Sequence, residues 1–215
     1  VYGWSEMMVR KKDPATVPKA AFEVLDSAHQ AVGLINDLLD LSRLDEDRLK
    51  PVIRATEPAS VARRAQQRVT PAAAARNVKL ELEFAPGLPS CQTDVSRVEQ
   101  ILINLLGNAI NHTPEGSAVR LGVTSDGSTV LFTVEDQGHG IEESEIERIF
   151  DIYVTKPVGE GHGAGLGLPL SRRLARLLGG ELRAVPRPGQ GGCFILELPA
   201  SPNSEETFIQ ASAAS

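Results

Sequence analysis

Over residues 94–112 the apolar side chains Val98, Ile101, Leu102, Leu105, Leu106, Ala109 and Ile110 recur at the spacing of one broad helical face. A helix with so wide an apolar stripe needs a second layer to cover it. Asp94, just before the stripe, reads as its N-cap. The flanking segments alternate at period two. Residues 78–84 read as a half-buried strand, and residues 119–124 and 130–135 flank Ser125-Asp126-Gly127-Ser128, whose Asp-Gly pair favours a tight hairpin. Residues 58–76 read as a helix rich in Ala and Arg, which Pro71 breaks or kinks. A Gly-rich stretch over 159–167 leads into a helix ending near Leu178, and strands over 181–185 and 193–198 follow, joined by a Pro/Gly turn. This order predicts an α+β fold, a layer of helices on a mostly antiparallel sheet.

The N-terminal quarter is different. Residues 16–49 lack glycine except Gly33 and place Val17, Val24, Ala31 and Leu38 at heptad spacing, with Ala21, Ala28 and Ile35 between them. That predicts a long helix with an oligomerisation seam. Leu25, Leu34, Leu39 and Leu41 widen the stripe to suit a four-helix bundle, the other three helices coming from a dimer of helical hairpins. Residues 2–12 read as the end of the preceding helix, broken off by Lys11-Lys12-Asp13-Pro14. Pro51 is expected to close the long helix, with a short strand over 52–55. The predicted organisation is a partial helical hairpin over 1–50, a globular domain over 51–200 and a disordered polar tail over 201–215. With 215 residues and 41% hydrophobic content there is material for one full core and this appendage.

A net charge of −6 argues against nucleic acid as a partner, because phosphate contacts need clustered Lys and Arg. Cys91 and Cys193 are too far apart for a metal knuckle and too few for a disulfide framework, so packed thiols in a reducing compartment are expected. No apolar run approaches the roughly 18 residues needed to span a bilayer, and no basic-then-apolar leader opens the chain. The chain is expected to be cytoplasmic and to make no membrane contact of its own. Starting at Val1, it reads as a piece of a longer protein, whose anchoring it leaves open.

Three short patterns carry chemistry. Asn104 and Asn108 lie four apart on one face of an otherwise apolar helix. A neutral amide oxygen suits Mg²⁺ that already carries a triphosphate, where a carboxylate would repel the phosphates; two Asn side chains serving loop backbone groups are the plainer alternative. Asp136-Gln137-Gly138-His139-Gly140 follows a strand directly, so a carboxylate there can accept from an adenine amino group while the glycines let a planar ligand approach. Turn chemistry explains the same residues equally well. Gly163-Ala164-Gly165-Leu166-Gly167-Leu168 precedes a helix, where backbone N–H groups and the helix dipole favour phosphate, although a flexible loop is the alternative. It lacks the Lys-Ser/Thr of a Walker loop and the preceding strand of a dinucleotide fingerprint.

The order of these patterns, with Ile149-Phe150 between the second and third, resembles the N, first glycine, F and second glycine boxes of the histidine kinase branch of the Bergerat-fold (GHKL) ATPases. The run Asp94 to Ala109 is close to that family's pattern, and Ile35-Asn36-Asp37-Leu38-Leu39-Asp40-Leu41-Ser42-Arg43-Leu44 is similar to the second helix of its dimerisation and histidine-phosphotransfer domain. The resemblance extends to about Pro199. It implies a Bergerat-type two-layer α/β sandwich, with a mixed, mostly antiparallel sheet carrying helices on one face. It implies ATP and Mg²⁺ as cofactors and transfer of the γ-phosphoryl to a histidine. A homodimer and the receiver domain of a response regulator are the implied partners.

Carried over residue by residue, Asp136 would hold the adenine amino group, Asn108 would coordinate Mg²⁺ and Asn104 would support the phosphate side. Gly138, Gly140, Gly163, Gly165 and Gly167 would shape walls and lid, beside Leu166 and Leu168. Lys156, in the implied lid, reaches the phosphates as a point charge or is simply solvated. Asn111 and His112 stand in the nucleotide site where the family often has a Lys and an aromatic, Ala164 replaces a common Thr or Ser, and Tyr153 stands near a frequent Phe.

The segment Tyr2-Gly3-Trp4-Ser5-Glu6-Met7 resembles the stretch C-terminal to the family's His-Glu-x-x-Thr-Pro box, which puts the phosphoacceptor a short way before Val1. His29 lies on the second helix without a following acidic residue and proline. The competing expectation is a degenerate, non-catalytic dimerisation module that modulates a partner kinase. Another Bergerat ATPase would need a Glu general base near Asn104, and none stands at the right face.

Overall fold

A computed structural model describes residues 6, 16–152, 154 and 165–201. Contacts divide the chain into two units, Val1–Leu49 and Lys50–Ser215. The expected helix over 2–12 and the polar tail lie outside the described residues, apart from Glu6 and Ser201.

In the first unit, helix α1 (Thr16–Asp45) ends before residue 49 and does not wait for Pro51. Asp47 takes the left-handed region at φ 51°, so that the Arg48 N–H reaches the Arg43 carbonyl at 2.8 Å and the Asp47 N–H reaches Leu44 at 3.2 Å. This pair of bonds is a Schellman closure, which satisfies carbonyls that a proline further on would leave open. On the seam predicted from the heptads, Ile35 and Leu38 are 58% and 52% exposed in the single chain.

The second unit starts with β1 (Arg54–Thr56) and α2 (Pro58–Ala75). Pro71 does not break α2. It lies on the exposed side while Val61, Ala65 and Val69 before it and Ala73 after it stay buried, so packing of the opposite face offsets the missing hydrogen bond. α2 closes as α1 does, with Asn77 at φ 52° and the Val78 N–H on the Ala73 carbonyl at 2.9 Å. Then come β2 (Lys79–Phe84), β3 (Cys91–Thr93), α3 (Val95–His112), β4 (Ala118–Ser125) and β5 (Thr129–Glu135). After two short 3₁₀ turns, Glu143–Glu145 and Arg148–Phe150, the chain ends in α4 (Gly167–Leu177), β6 (Glu181–Ala184) and β7 (Cys193–Pro199).

Five strands form one sheet in the order β2-β4-β5-β7-β6, with β2 and β4 parallel and the other neighbours antiparallel. β1 and β3 make a separate two-stranded pair. At three residues, β3 is too short to show a period and escapes the sequence reading. Alternation gives the sheet two unlike faces. Val119, Leu121, Val123, Phe132, Leu182 and Leu196 bury the helix-covered face at 1% exposure or less. The predicted stripe of α3 is buried from Val98 to Ile110. On the other face Arg120 sits among Glu83 (3.1 Å), Glu81 (3.6 Å) and Glu135 (3.8 Å), and Glu135 also pairs with Arg187. This is the expected two-layer sandwich.

The start of α3 is secured twice. Asp94 Oδ1 accepts from the Ser96 and Arg97 N–H groups at 3.0 and 3.3 Å and from Ser96 Oγ at 2.6 Å, while Oδ2 accepts the Val52 N–H at 2.8 Å. Burial would raise this carboxyl's pKa, but the hydrogen bonds from Ser96, Val52 and Arg97 outweigh it and hold the group below its ordinary value. Among the described residues no helix is long and apolar enough to cross a membrane.

Candidate functional site

β5 delivers Asp136 to the end of the sheet, where its N–H extends the ladder to the Gly192 carbonyl at 3.0 Å. The carboxylate is 8% exposed, and its two oxygens differ. Oδ1 accepts the N–H groups of Gly138 and Gly192, both at 2.8 Å. No donor among the described residues takes Oδ2, although Asp136 lines a cavity. A carboxylate oxygen of a mostly buried residue, left without a donor at a cavity, is an acceptor held ready for a ligand donor.

The loop after Asp136 is shaped by backbone lying on backbone. The β6–β7 turn runs along it, with the Gly189 N–H on the His139 carbonyl at 2.8 Å and the Arg187 N–H on the Ile141 carbonyl at 3.2 Å. A Cβ on Gly140 would come within 2.0 Å of the Arg187 carbonyl, and one on Gly191 within 1.8 Å of the Asp136 carbonyl. Both also hold positive φ, 78° and 85°. Gly138 lies against α3, its Cβ position 2.6 Å from the His112 carbonyl. The sequence reading takes 186–192 as a simple connection and so misses Gly191 and Gly192. The one available signal is the density of glycine in Gly189-Gln190-Gly191-Gly192.

α3 supplies Asn108 and His112, one helical turn apart, to the cavity. Asn104 does something else. Its Nδ2 donates to Ser171 Oγ on α4 at 2.9 Å, and its Oδ1 lies 2.1 Å from where a Cβ on Gly167 would stand. It is a brace between α3 and the first turn of α4. Asn111 is exposed and is not among the lining residues. Gly165 holds φ 66° and Leu166 is buried as the chain enters α4. Lys156, Gly163, Ala164 and Tyr153 fall outside the described residues.

The cavity measures about 330 Å³. Ile141, Ile149, Val154, Leu168 and Phe194 make it mainly apolar, with Asn108, His112, Asp136 and His139 on the polar side and Glu145 and Arg148 as further charges. The sequence reading does not single out His139, Glu145, Arg148 or Phe194. His139 Nδ1 lies 2.8 Å from the Gly140 carbonyl, and its ring meets that of His112 edge-on at 5.6 Å. A mostly apolar cavity with one open carboxylate oxygen and one helix-borne amide suits an aromatic base bearing an amino group.

Both cysteines are free and buried. Burial pushes the Cys91 thiol up to about 11 and raises Cys193 as well. No group of three or more His, Cys, Asp or Glu able to hold a metal occurs among the described residues.

The chain is similar to known proteins over most of its length. The family described as histidine kinase-, DNA gyrase B-, and HSP90-like ATPase matches residues 93–202, about half of the chain. The alginate biosynthesis sensor protein KinB of Pseudomonas aeruginosa is 40% identical over 166 residues, covering 77% of this chain and 28% of its own length. The sensor protein TorS of Escherichia coli is 34% identical over 179 residues, covering 82% of this chain and 19% of TorS. The chain thus spans under a third of the length of either relative. Full-length ShkA in complex with AMPPNP superposes with a TM-score of 0.76 at 28% identity, over 88% of this chain and 41% of ShkA. The catalytic domain of the histidine kinase ThkA superposes at 0.63 and 26% identity, over 70% of this chain and 97% of that domain. The chain therefore belongs to the histidine kinase-, DNA gyrase B- and HSP90-like ATPase family and carries the ATP-binding catalytic domain of a sensor histidine kinase.

Proposed function

We propose that the cavity takes the adenine of ATP and that the domain donates the γ-phosphoryl to a histidine outside the described residues, in a two-component sensor kinase. The observation that carries this reading is the division of labour in the Asp136 carboxylate. One oxygen is consumed by the scaffold and the other is left to accept from an amino group. The apolar walls at Ile141, Ile149 and Phe194 hold the base. Asn108 is the residue that would bind Mg²⁺, a hard ion suited to an amide oxygen, and the ion would neutralise phosphate charge during transfer. Asn104 serves the phosphate side indirectly, by holding Gly167 and Ser171 at the start of α4, the positive end of that helix's dipole. Lys156 and the glycines Gly163 and Gly165 complete that end in this reading.

Sensor histidine kinases dimerise and signal to response regulators. The exposed seam of α1 fits a homodimer, and a receiver domain is the expected acceptor of the phosphoryl group. The cytoplasm, with its ATP, is the expected location. A purely regulatory module is not favoured by relatives that are themselves sensor kinases. Titration of the chain with a fluorescent ATP analogue, with and without Mg²⁺, tests the reading. Saturable, Mg²⁺-enhanced binding is expected, and absence of binding leaves the regulatory module. Incubation with γ-labelled ATP is expected to leave His29 unlabelled, since this reading places the acceptor elsewhere.

A further inference from the structure

Arg148 and Ile149 form one wall of the cavity, and Phe150 beside them is buried. The 3₁₀ turn that carries them is three residues long and has too few hydrogen bonds of its own to hold a position. Arg172, in the second turn of α4, supplies what the turn lacks. Its Cζ lies 4.6 Å over the centre of the Phe150 ring, its NH1 donates to Glu147 Oε2 at 2.8 Å, and its Nε donates to Glu181 Oε1 at 3.0 Å. One guanidinium joins the turn, the helix and the edge strand of the sheet. Its neighbour Ser171 receives Asn104, and Leu168 on the same helix lines the cavity. Arg172 itself is not among the lining residues.

We infer that Arg172 is a positioning residue for the nucleotide: it sets the Arg148–Ile149 wall against α4 without touching the ligand. This rests on the nucleotide reading of the cavity. The role needs a planar fork that stacks on a ring while donating in two directions, which a lysine ammonium does only in part.

The test combines a fluorescent ATP analogue with hydrogen exchange over residues 146–152, on the whole chain. Arg172→Ala is expected to speed exchange there and to weaken analogue binding about tenfold, the combined worth of a partly buried cation–π contact and a charge-assisted bond. Arg172→Lys falls between. Glu147→Gln alters an exposed partner, so it leaves the fold intact and decides the matter if Arg172→Ala does not fold; it too speeds exchange. Arg176→Ala removes a hydrogen bond to Glu181 and a through-space attraction to Glu147 but leaves the Arg172 contacts to Phe150 and Glu147 in place, and changes neither readout. Arg172→Ala binding within twofold of wild type with unchanged exchange overturns the inference. So does an Arg176→Ala that matches it, because the effect would then be general loosening at Glu181. If wild type binds no analogue, the nucleotide reading fails by itself, and exchange still decides whether Arg172 holds the turn.

Discussion

Replacing Asp136 by Asn separates the two jobs of its carboxylate. The amide oxygen can occupy the place of Oδ1 and keep accepting from Gly138 and Gly192, while the NH₂ takes the place of Oδ2. The opposite rotamer would aim an NH₂ at two N–H donors and is disfavoured. On the scaffold side, two charge-assisted bonds become neutral ones. Such bonds are worth about 1.5–3 kcal/mol against about 1 kcal/mol for neutral ones, so with relief of carboxylate desolvation the net loss is about 1–2 kcal/mol. In a chain of this size that lowers Tm by about 2–8 °C. On the ligand side an acceptor becomes a donor. The charge-assisted bond is lost and an N–H faces an N–H, together about 3 kcal/mol, or roughly two decades of affinity. Asp136→Ala instead strands two backbone donors at a site only 8% exposed, which costs about 1–3 kcal/mol each. Analogue titration and thermal melting of the three proteins should show Asn losing affinity while melting well above Ala. The reasoning is refuted if Asp136→Asn binds within threefold of wild type, or if the two variants melt together.

Removing the α3 cap by Asp94→Ala should cost about 2 kcal/mol in urea, a typical cap loss of about 1 kcal/mol plus the stranded Val52 N–H. Because folded Asp94 titrates below its unfolded value of about 3.9, its contribution is complete above that pH and is lost as pH falls through the lower folded value. The gap between wild type and variant should therefore persist at pH 7 and close in strong acid, and an unchanged gap at pH 2 would count against the cap. Gly191→Ala, whose Cβ would sit 1.8 Å from the Asp136 carbonyl at φ 85°, should destabilise the domain by more than about 1 kcal/mol and weaken analogue binding; wild-type behaviour in both assays would show that the turn is not packed as described. A thiol reagent at pH 8 should leave Cys91 and Cys193 unreacted in the native chain and find two thiols after unfolding, and rapid native labelling would contradict their burial.

Local physics wrote much of this protein into its sequence. The stripe of α3, the Asp94 cap, the Asp126-Gly127 hairpin and the alternating strands each depend on neighbours within a few residues, while the order of the Asn, Asp-Gly, Ile-Phe and Gly-rich patterns carried the family resemblance. Helix ends were less legible. Asp47 and Asn77 close their helices through left-handed conformations that compete with simpler proline and glycine signals. Pro71 passes through α2 because the buried face opposite it outweighs one lost hydrogen bond. The site shows the same division. Asp136 and Asn108 were marked by residue type and spacing and His112 by the family resemblance, and all three line the cavity. Asn104 shares the helix face of Asn108, but only the placement of α4 turns its amide toward Ser171. Gly191 and Gly192 gain their meaning from a carbonyl and a carboxylate more than fifty residues away, and Arg172 gains its own from Phe150 and Glu181 on two other elements. Sequence spacing determines which side chains share an element's face; which faces meet is decided by the sheet that brings distant segments together.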